Sequence, residues 1–245
     1  MIPKKIHYCW LGNNPLPPLA EKCIASWKKY CPDYEIILWN EDNYDFTKHP
    51  YMKQAFEAKK WGFVPDYARL DIVCTHGGIY LDTDVEIVKN LDELLKNDFY
   101  AGFESDEWVN LGLGFGAIPG HPMLLEMMAD YDNYSFVNAD GSLNQLPSPQ
   151  IQTKLLKKHG LQKDNSEIQI LPGNVTIYPT SCLAPRNAAR IPEALPESYS
   201  VHHYMASWCD DQFGRKVGKV IKKIIAKCLG KHAAILVNLK RRILK

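Results

Sequence analysis

The sequence has no CxxC pair, no long apolar run and almost no net charge. Its seven cysteines are scattered and odd in number, which argues against a disulfide framework and against a zinc site built from cysteine pairs. A reducing compartment fits this pattern best. No run of 18 apolar residues occurs, and the opening stretch MIPKKIHYCWLGNN lacks the apolar core and cleavage site of a secretion signal. We therefore expect a cytoplasmic protein without a membrane-spanning helix.

What the sequence does contain is an alternation of short apolar strands and amphipathic helices. With 245 residues, of which 46% are hydrophobic, the chain can bury one sizeable core. Strands are predicted near residues 4–11, 34–39, 79–82, 99–103, 167–171, 175–179 and 198–204, and helices near 19–31, 51–60, 64–77, 90–95, 121–131 and 151–160. Gly77 is expected to close its helix in a left-handed conformation. The alternation predicts an α/β sandwich with a mostly parallel sheet.

Residues 214–245 carry a charge pattern that the rest of the chain does not share. Eleven of the 29 Lys and Arg residues and none of the 28 Asp and Glu residues lie there, which leaves an acidic domain at residues 1–213. Apolar residues recur at helical spacing from Val217 to Leu229, with lysines between them. This predicts a basic amphipathic helix that lies on an anionic membrane surface, or else packs on the acidic domain or a second copy. Nucleic acid is not expected as a partner, because no stacking aromatic residues are interleaved with these charges.

The stretch GGIYLDTDVEI, residues 77–87, ends an apolar strand with two aspartates one residue apart. In an extended segment, Asp82 and Asp84 would project from the same face, and their like charges would repel unless a cation lies nearby. Mg²⁺ and Mn²⁺ prefer oxygen ligands, and ligands of open α/β sheets bind at the carboxyl ends of strands. The pair therefore predicts a divalent-cation site rather than a solvated acidic turn.

Two classes of enzyme use such an aspartate pair. In haloacid-dehalogenase-like phosphatases, whose first motif IYLDTDV fits, Asp82 would be a phosphorylated nucleophile and Asp84 a general acid. In nucleotide-sugar glycosyltransferases, the pair holds a metal ion on the donor diphosphate. The phosphatase needs a further acidic motif after an apolar strand, whereas Asp210 and Asp211 follow a predicted loop.

Asp66 and Arg69 lie three residues apart on a predicted helix, and so occupy neighbouring positions on its surface. They could form an ordinary surface ion pair. Alternatively, Arg69 faces a diphosphate, whose oxygens fit its planar guanidinium, while Asp66 contacts sugar hydroxyls. The glycine-rich segment WVNLGLGFGAIPG could form the wall of a sugar site, with Asn110 bonded to a hydroxyl, or could be only a tight strand crossing.

Three motifs together resemble a known family. They are IPKKIHYCWLG at the start, Asp66 and Arg69 followed by GG and DxD in PDYARLDIVCTHGGIYLDTDV, and HHYMASW near residue 208. The pattern is similar to that of family 32-like glycosyltransferases, which include yeast α-mannosyltransferases and bacterial capsular polysaccharide enzymes. More distantly, it resembles the glucosyltransferase domains of large clostridial toxins. The resemblance implies a GT-A fold, which is an α/β nucleotide-binding domain with a mixed sheet.

The resemblance also implies roles for individual residues in the binding of a donor. Trp10 would stack on the donor base, Asp84 would ligate the metal ion, and Asp82 would contact the ribose or sugar and the hydrated metal. Asp66, Arg69 and Asn110 would complete the donor site.

The HHYMASW segment would fold back over the diphosphate, with Trp208 as its tryptophan. His203 stands where the toxin-like enzymes have a glutamate, and histidine is an acceptable ligand for Mn²⁺. Neighbours in a strand face opposite ways, so only one of His202 and His203 can reach the metal ion. The residues alone leave that choice open.

We therefore predict an enzyme, a glycosyltransferase that depends on Mn²⁺ or Mg²⁺. It would move a sugar from a nucleoside-diphosphate donor, a UDP-sugar or GDP-mannose, to a glycan or lipid-linked acceptor in capsular or surface polysaccharide assembly. The resemblance implies retention of the anomeric configuration and catalysis that depends on Asp82, Asp84 and Arg69. The enzyme would lie peripherally on the cytoplasmic face of the membrane. The alternatives are a phosphatase with Asp82 as nucleophile, and a non-catalytic, membrane-associated sugar-nucleotide binder.

Overall fold

A computed structural model describes residues 1–205, which fold around a mixed β-sheet. The strands of this part of the chain are β1 (Lys5–Cys9), β2 (Glu35–Trp39), β3 (Gly78–Tyr80), β4 (Val85–Ile87), β5 (Phe99–Gly102), β6 (Phe115–Ala117), β7 (Gln169–Leu171), β8 (Val175–Tyr178) and β9 (Ser200–His202). The helices are α1 (Pro18–Tyr30), α2 (Pro50–Glu57), α3 (Pro65–His76), α4 (Pro122–Asp130), α5 (Ser148–Lys158) and α6 (Thr180–Leu183). Short 3₁₀ helices lie at Leu94–Lys96, Leu111–Leu113 and Tyr131–Asn133.

The main sheet has seven strands in the order β2-β1-β3-β6-β5-β8-β7. The pairs β1–β2, β1–β3 and β5–β8 are parallel, whereas β3–β6, β5–β6 and β7–β8 are antiparallel. The expectation of a mostly parallel sheet was therefore wrong, while the α/β class with a mixed sheet is confirmed. Two of the antiparallel pairs arise because β6 returns between β3 and β5, and the third joins the consecutive strands β7 and β8.

The helix ends follow local chemistry. Proline occupies the first position of α1, α2, α3 and α4, where its missing N–H costs no hydrogen bond and its fixed φ suits the helix. α3 ends at Gly77, which has a φ of +62° and donates its N–H to Val73 O. The predicted glycine at this helix end is thus confirmed, and Gly78 then opens β3.

Each face of the main sheet packs against its own apolar layer. Ile6 and Tyr8 of β1 pack with Cys23 and Trp27 of α1 on one face. Cys9 belongs to the larger core on the other face, which α2, α3, α4 and α5 cover. This alternation along β1 is the period of two expected for a strand buried on both sides.

A second, two-stranded sheet brings residues near 200 back to the end of the aspartate motif. β4 pairs antiparallel with β9, with Val85 opposite His202. α1 supports this ribbon, since the Trp27 indole N–H donates to Val85 O at 2.7 Å. The pairing was not predicted from the sequence, because three-residue strands leave almost no periodic signal.

No helix within residues 1–205 is long and apolar enough to cross a membrane. Residues 206–245, which include Trp208 and the predicted basic helix at 214–245, lie outside the part of the chain that the structure describes.

His7, at the centre of β1, links three elements through its imidazole. Its Nε2–H donates to Gly77 O at 2.8 Å, and its Nδ1 accepts the Trp39 indole N–H at 3.1 Å. Its side chain has no exposure to solvent. Burial lowers the pKa of His7 to about 4, although the carbonyl of Gly77 opposes this shift. The neutral ring therefore holds the end of α3 to β1 and β2.

This burial makes the fold sensitive to acid. Above pH 6.5 His7 is neutral in the folded and unfolded chains, so its full contribution is present. As the pH falls from about 6.5 to about 4, His7 becomes protonated in the unfolded chain but stays neutral in the folded chain. This difference lowers the free energy of unfolding by on the order of 3 kcal/mol. We expect His7→Gln to flatten this fall in urea unfolding curves recorded across that range. His159→Gln, at a more exposed histidine, is the control, and equal slopes in His7→Gln and wild type would contradict the assignment.

Candidate functional site

The aspartate motif lies in a turn that follows β3, not in the strand itself. β3 ends at Tyr80, and the N–H of Val85 donates to Asp82 O at 3.0 Å, which closes the turn. The expectation that Asp82 and Asp84 share a face of an extended segment was therefore wrong. They come together in the turn between β3 and β4, at the carboxyl end of a central strand as expected.

Asp84 is buried, and three polar contacts hold its carboxylate and the neighbouring chain. His202 Nε2 lies 3.0 Å from Asp84 Oδ1, and the Met205 N–H donates to Asp84 Oδ2 at 2.7 Å. The backbone carbonyl of Asp84 accepts the His203 N–H. Burial alone would raise the pKa of Asp84, but the charge and hydrogen bond of His202, together with the Met205 N–H, lower it to about 2. The carboxylate is therefore ionised at neutral pH.

Asp82, Asp84 and His202 form a group that fits a divalent metal ion. One ligand atom from each residue lies within 4.8 Å of the others. Two carboxylates and an imidazole are donors that suit Mn²⁺ and related ions. The buried His202 Nδ1 has no hydrogen-bond partner within residues 1–205. A buried polar atom that contacts only protein normally has such a partner. The donor set thus fits a metal ion.

Of the two neighbouring histidines, the structure directs His202 to the aspartates. His203 Nε2 instead lies 2.8 Å from Glu86 Oε2, and Lys22 reaches the same oxygen at 2.8 Å. The resemblance placed His203 where the toxin-like enzymes have a glutamate, but the residues left the choice between the two histidines open, and in the structure it is His202 that faces the aspartates. The physical reason is the pairing of Val85 with His202, which turns consecutive side chains to opposite sides.

Asp66 and Arg69 are not a surface ion pair, because each is only 4% exposed. Arg69 Nη2 donates to Asp66 Oδ1 at 2.9 Å, and Arg69 Nη1 lies 3.7 Å from Asp82 Oδ1. The Ser148 hydroxyl also donates to Asp66 Oδ1, at 2.8 Å. Burial raises the pKa of Asp66 to about 6, while Arg69 and Ser148 oppose the shift. Burial likewise raises the pKa of Asp82, and Arg69 again opposes it. Arg69 thus bridges two carboxylates.

Helix α5 positions the loop that covers Asp82, and the sequence analysis missed its part in the site. Gln152 Oε1 accepts the Leu111 N–H at 3.2 Å, and Thr153 Oγ1 accepts the Val109 N–H at 2.9 Å. With Ser148, these are buried polar residues on the face of α5 that carries Ile151 and Leu155. The sequence did carry a signal for this, because Ser148, Gln152 and Thr153 are polar residues, at spacings of four and five, on an otherwise apolar helix face.

Asn110 is already hydrogen-bonded at both ends of its amide. Its Oδ1 accepts the Gly112 N–H at 2.7 Å, and its Nδ2 donates to Glu104 Oε2 at 3.1 Å. The structure therefore shows Asn110 shaping the loop beside Asp82. Gly112 O accepts the Asp82 N–H at 3.3 Å, so the loop and the aspartate turn are bonded directly.

Trp10 lies at the carboxyl end of β1, partly exposed, and its indole N–H donates to Asn14 O at 2.6 Å. The turn after it is held by Glu41, whose Oε1 accepts the Gly12 N–H at 2.7 Å. Trp10 therefore stands in an ordered turn at the same edge of the sheet as the aspartates. Trp208 cannot be placed, because it follows the last described residue.

Comparison with known proteins gives one family match and several similar proteins. Residues 17–100 match a family model described as a glycosyltransferase sugar-binding region containing a DXD motif. Inositol phosphoceramide mannosyltransferase 3 of Schizosaccharomyces pombe is 29% identical over 143 residues, which cover 55% of this chain and 38% of that protein. Mannosyl phosphorylinositol ceramide synthase SUR1 of Saccharomyces cerevisiae is 32% identical over 144 residues, covering 56% and 37%.

Similar solved structures are also glycosyltransferases. The PaToxG glycosyltransferase has a TM-score of 0.48 and 20% identity, covering 64% of this chain and 69% of its own. The galactosyltransferase LgtC has a TM-score of 0.45 and 14% identity, covering 89% and 95%. The matched segments span less than two fifths of the two curated yeast relatives.

The contact between Gly112 and the carboxylate of Asp82 can be tested by a single methyl group. A Cβ at Gly112 would overlap Asp82 Oδ2 and press on Arg69 Nη1 and Asn110 Oδ1. We expect Gly112→Ala to weaken Mn²⁺ binding, measured by electron paramagnetic resonance, by about tenfold or more, because the ligand oxygen is displaced.

The matched control for this variant is Gly116→Ala, where the added Cβ would overlap Tyr100 in the core. Both variants should lower the melting temperature, but only Gly112→Ala should lose Mn²⁺ affinity. Equal Mn²⁺ affinities in the two variants would show that the loop does not control the aspartate site.

Proposed function

We propose that this chain is a family 32-like, DXD-motif glycosyltransferase of GT-A type, which transfers a sugar from a nucleoside diphosphate to a hydroxyl group of a glycan or lipid-linked acceptor. The observation that carries this proposal is the convergence of Asp82, Asp84 and His202 beside the buried Arg69. These four side chains come from a helix, a turn and a strand far apart in the chain, and they meet at the carboxyl end of β3.

Asp82, Asp84 and His202 would hold Mn²⁺ or Mg²⁺. When bound, such an ion offsets negative charge on the donor diphosphate and on the diphosphate that leaves. The contribution of the protein is to favour the ionised form of the two carboxylates and to hold them close to His202. His202 and the Met205 N–H do so for Asp84, and Arg69 opposes the effect of burial on the pKa of Asp82.

In the proposed transfer, the bond between sugar C1 and a phosphate oxygen breaks, and its electron pair stays on the diphosphate. A bond forms between C1 and an acceptor hydroxyl oxygen, and the proton of that hydroxyl passes to the departing diphosphate. Retention of configuration is part of the proposal, and it rests on the resemblance to family 32-like enzymes. The loop 110–114 and α5 would exclude water from one side of the donor, because they cover Asp82.

Mannose is the donor sugar that the curated relatives favour. Two of them are named as an inositol phosphoceramide mannosyltransferase and a mannosyl phosphorylinositol ceramide synthase. We therefore place GDP-mannose first among donors and a hydroxyl of a phospholipid-like or glycan acceptor first among acceptors. A role in capsular or other surface polysaccharide assembly, on the cytoplasmic membrane face, completes the proposal.

A thermal-shift panel with Mn²⁺ tests the donor. A nucleotide sugar that binds only the folded protein, at 100 times its Kd, stabilises it by about 2.7 kcal/mol, which raises the melting temperature by several degrees. We expect a shift with GDP-mannose or a UDP-sugar. Asp84→Asn should remove this shift and lower sugar transfer by at least about 100-fold, because it removes a ligand charge.

The control for this variant is Asp140→Asn, an exposed aspartate whose carboxylate accepts hydrogen bonds from nearby Ser142. It should behave as wild type. Unchanged transfer in Asp84→Asn at saturating Mn²⁺ would refute the proposal. Donor binding without any turnover would support the non-catalytic binder instead, and release of inorganic phosphate from a generic phosphomonoester would support the phosphatase.

The membrane part of the proposal concerns residues 214–245 and has a separate test. We expect the full chain to float with liposomes that contain anionic lipid, and a chain ending at residue 213 to float less, because each basic residue near an anionic surface adds about 1 kcal/mol. Neutral liposomes are the control. Equal flotation of the two chains would remove the membrane claim while leaving the transferase proposal intact.

A further inference from the structure

Arg186 lies beside the candidate metal centre, and the sequence analysis gave it no role. Its guanidinium carbon stands 3.7 Å from the centre of the Tyr204 ring. The Tyr204 ring meets the His202 ring edge to face, with ring centres 4.0 Å apart. His202 in turn contacts Asp84. Arg186 is therefore linked to the metal-binding group through two side chains in contact.

The ion pair between Arg186 and Glu104 is a loose one. Arg186 Nη2 is 3.6 Å from Glu104 Oε1, whereas charge-assisted hydrogen bonds are about 2.7–2.9 Å long. Both side chains are 26% exposed. The buried Arg186 Nε has no hydrogen-bond partner within residues 1–205. The guanidinium, which also interacts with the Tyr204 side chain, thus keeps at Nε a donor that no contact within residues 1–205 uses.

The two residues that contact Arg186 are themselves held in place by other contacts or by their backbone conformation. The other Glu104 oxygen, Oε2, accepts from Asn110, which shapes the loop over Asp82. Tyr204, on which Arg186 stacks, has a φ of +51°, a left-handed conformation that is uncommon for a bulky residue. Such strain is concentrated at functional sites, where the surrounding structure maintains it. Tyr204 and Glu104 together hold the guanidinium next to the centre.

The balance of charges at the candidate metal centre favours a further cation. Asp66, Asp82 and Asp84 bring three carboxylates, and Arg69 is already shared between two of them. A divalent ion would balance the remaining protein charge, and the diphosphate of a donor would then add unbalanced negative charge. That charge grows when the sugar leaves, so a cation that contacts the departing diphosphate favours the transition state. Planar guanidinium groups suit pairs of phosphate oxygens.

We propose that Arg186 binds the diphosphate of the nucleotide, exchanging its loose contact with Glu104 for phosphate oxygens. The inference rests on the proposed function and adds a second basic residue, from the segment between α6 and β9, to the donor site. Glu104 then serves as a positioning residue that keeps Arg186 near the centre before the nucleotide binds.

Calorimetric titration of the full chain with GDP and UDP in the presence of Mn²⁺ tests this role. Arg186→Gln should weaken the binding of the nucleoside diphosphate that wild type binds by about tenfold or more, because a charge-assisted contact is lost. Binding of the corresponding monophosphate, GMP or UMP, and of Mn²⁺ alone should change little. Arg186→Lys should recover part of the diphosphate affinity.

Arg190→Gln is the matched control, because Arg190 is an exposed arginine of the same segment. It should bind as wild type. Equal diphosphate affinity in Arg186→Gln and wild type would overturn the inference, as would an equal loss of monophosphate and diphosphate binding. A loss in Arg186→Gln confined to the KM of the acceptor would assign Arg186 to the acceptor instead. Failure of wild type to bind any nucleoside diphosphate would defeat the proposed function itself.

Discussion

The candidate site depends on stabilising two neighbouring carboxylates in a partly buried turn. Asp84 is 8% exposed, and the side chain of Asp82, whose backbone is hydrogen-bonded to the loop that contains Gly112, is 32% exposed, so both carboxylates have lost part of their hydration. Uncompensated, this burial would drive them to the neutral form. Arg69 approaches one and the His202 imidazole the other, and each partner comes from a segment distant from the turn in the chain. The fold around the site is therefore arranged to bring these two partners to the carboxylates.

Three contacts between distant segments achieve this delivery. The β4–β9 pairing fixes His202 opposite Val85, directly after the turn. α3 carries Arg69 inward, where Asp66 and Ser148 hold the guanidinium in a single orientation. α5 and the loop 110–114 then close over Asp82 through backbone hydrogen bonds accepted by Gln152 and Thr153. The site is thus a junction between the two sheets and the helices of the larger core.

The arrangement also explains why a like-charged pair persists without disrupting the fold. Arg69 lies near Asp82 and His202 near Asp84, so each carboxylate has its own polar partner. Capacity for further contacts remains in the group of Asp82, Asp84 and His202 and in the loosely held Arg186. One is suited to a metal ion and the other to phosphate oxygens, which are the two components of a nucleotide-sugar complex.

The amino-acid sequence by itself determined the α/β class and the helix end at Gly77, and it singled out Asp66, Arg69, Asp82 and Asp84 as a candidate site, because periodicity and short motifs are local properties. It left the choice between His202 and His203 open, its alternation of elements favoured a mostly parallel sheet, and it gave no role to Ser148, Gln152 and Arg186. Only the tertiary structure decided these points. The direction of a side chain in a three-residue strand depends on its partner strand, and the role of a polar residue depends on what a distant segment brings to it.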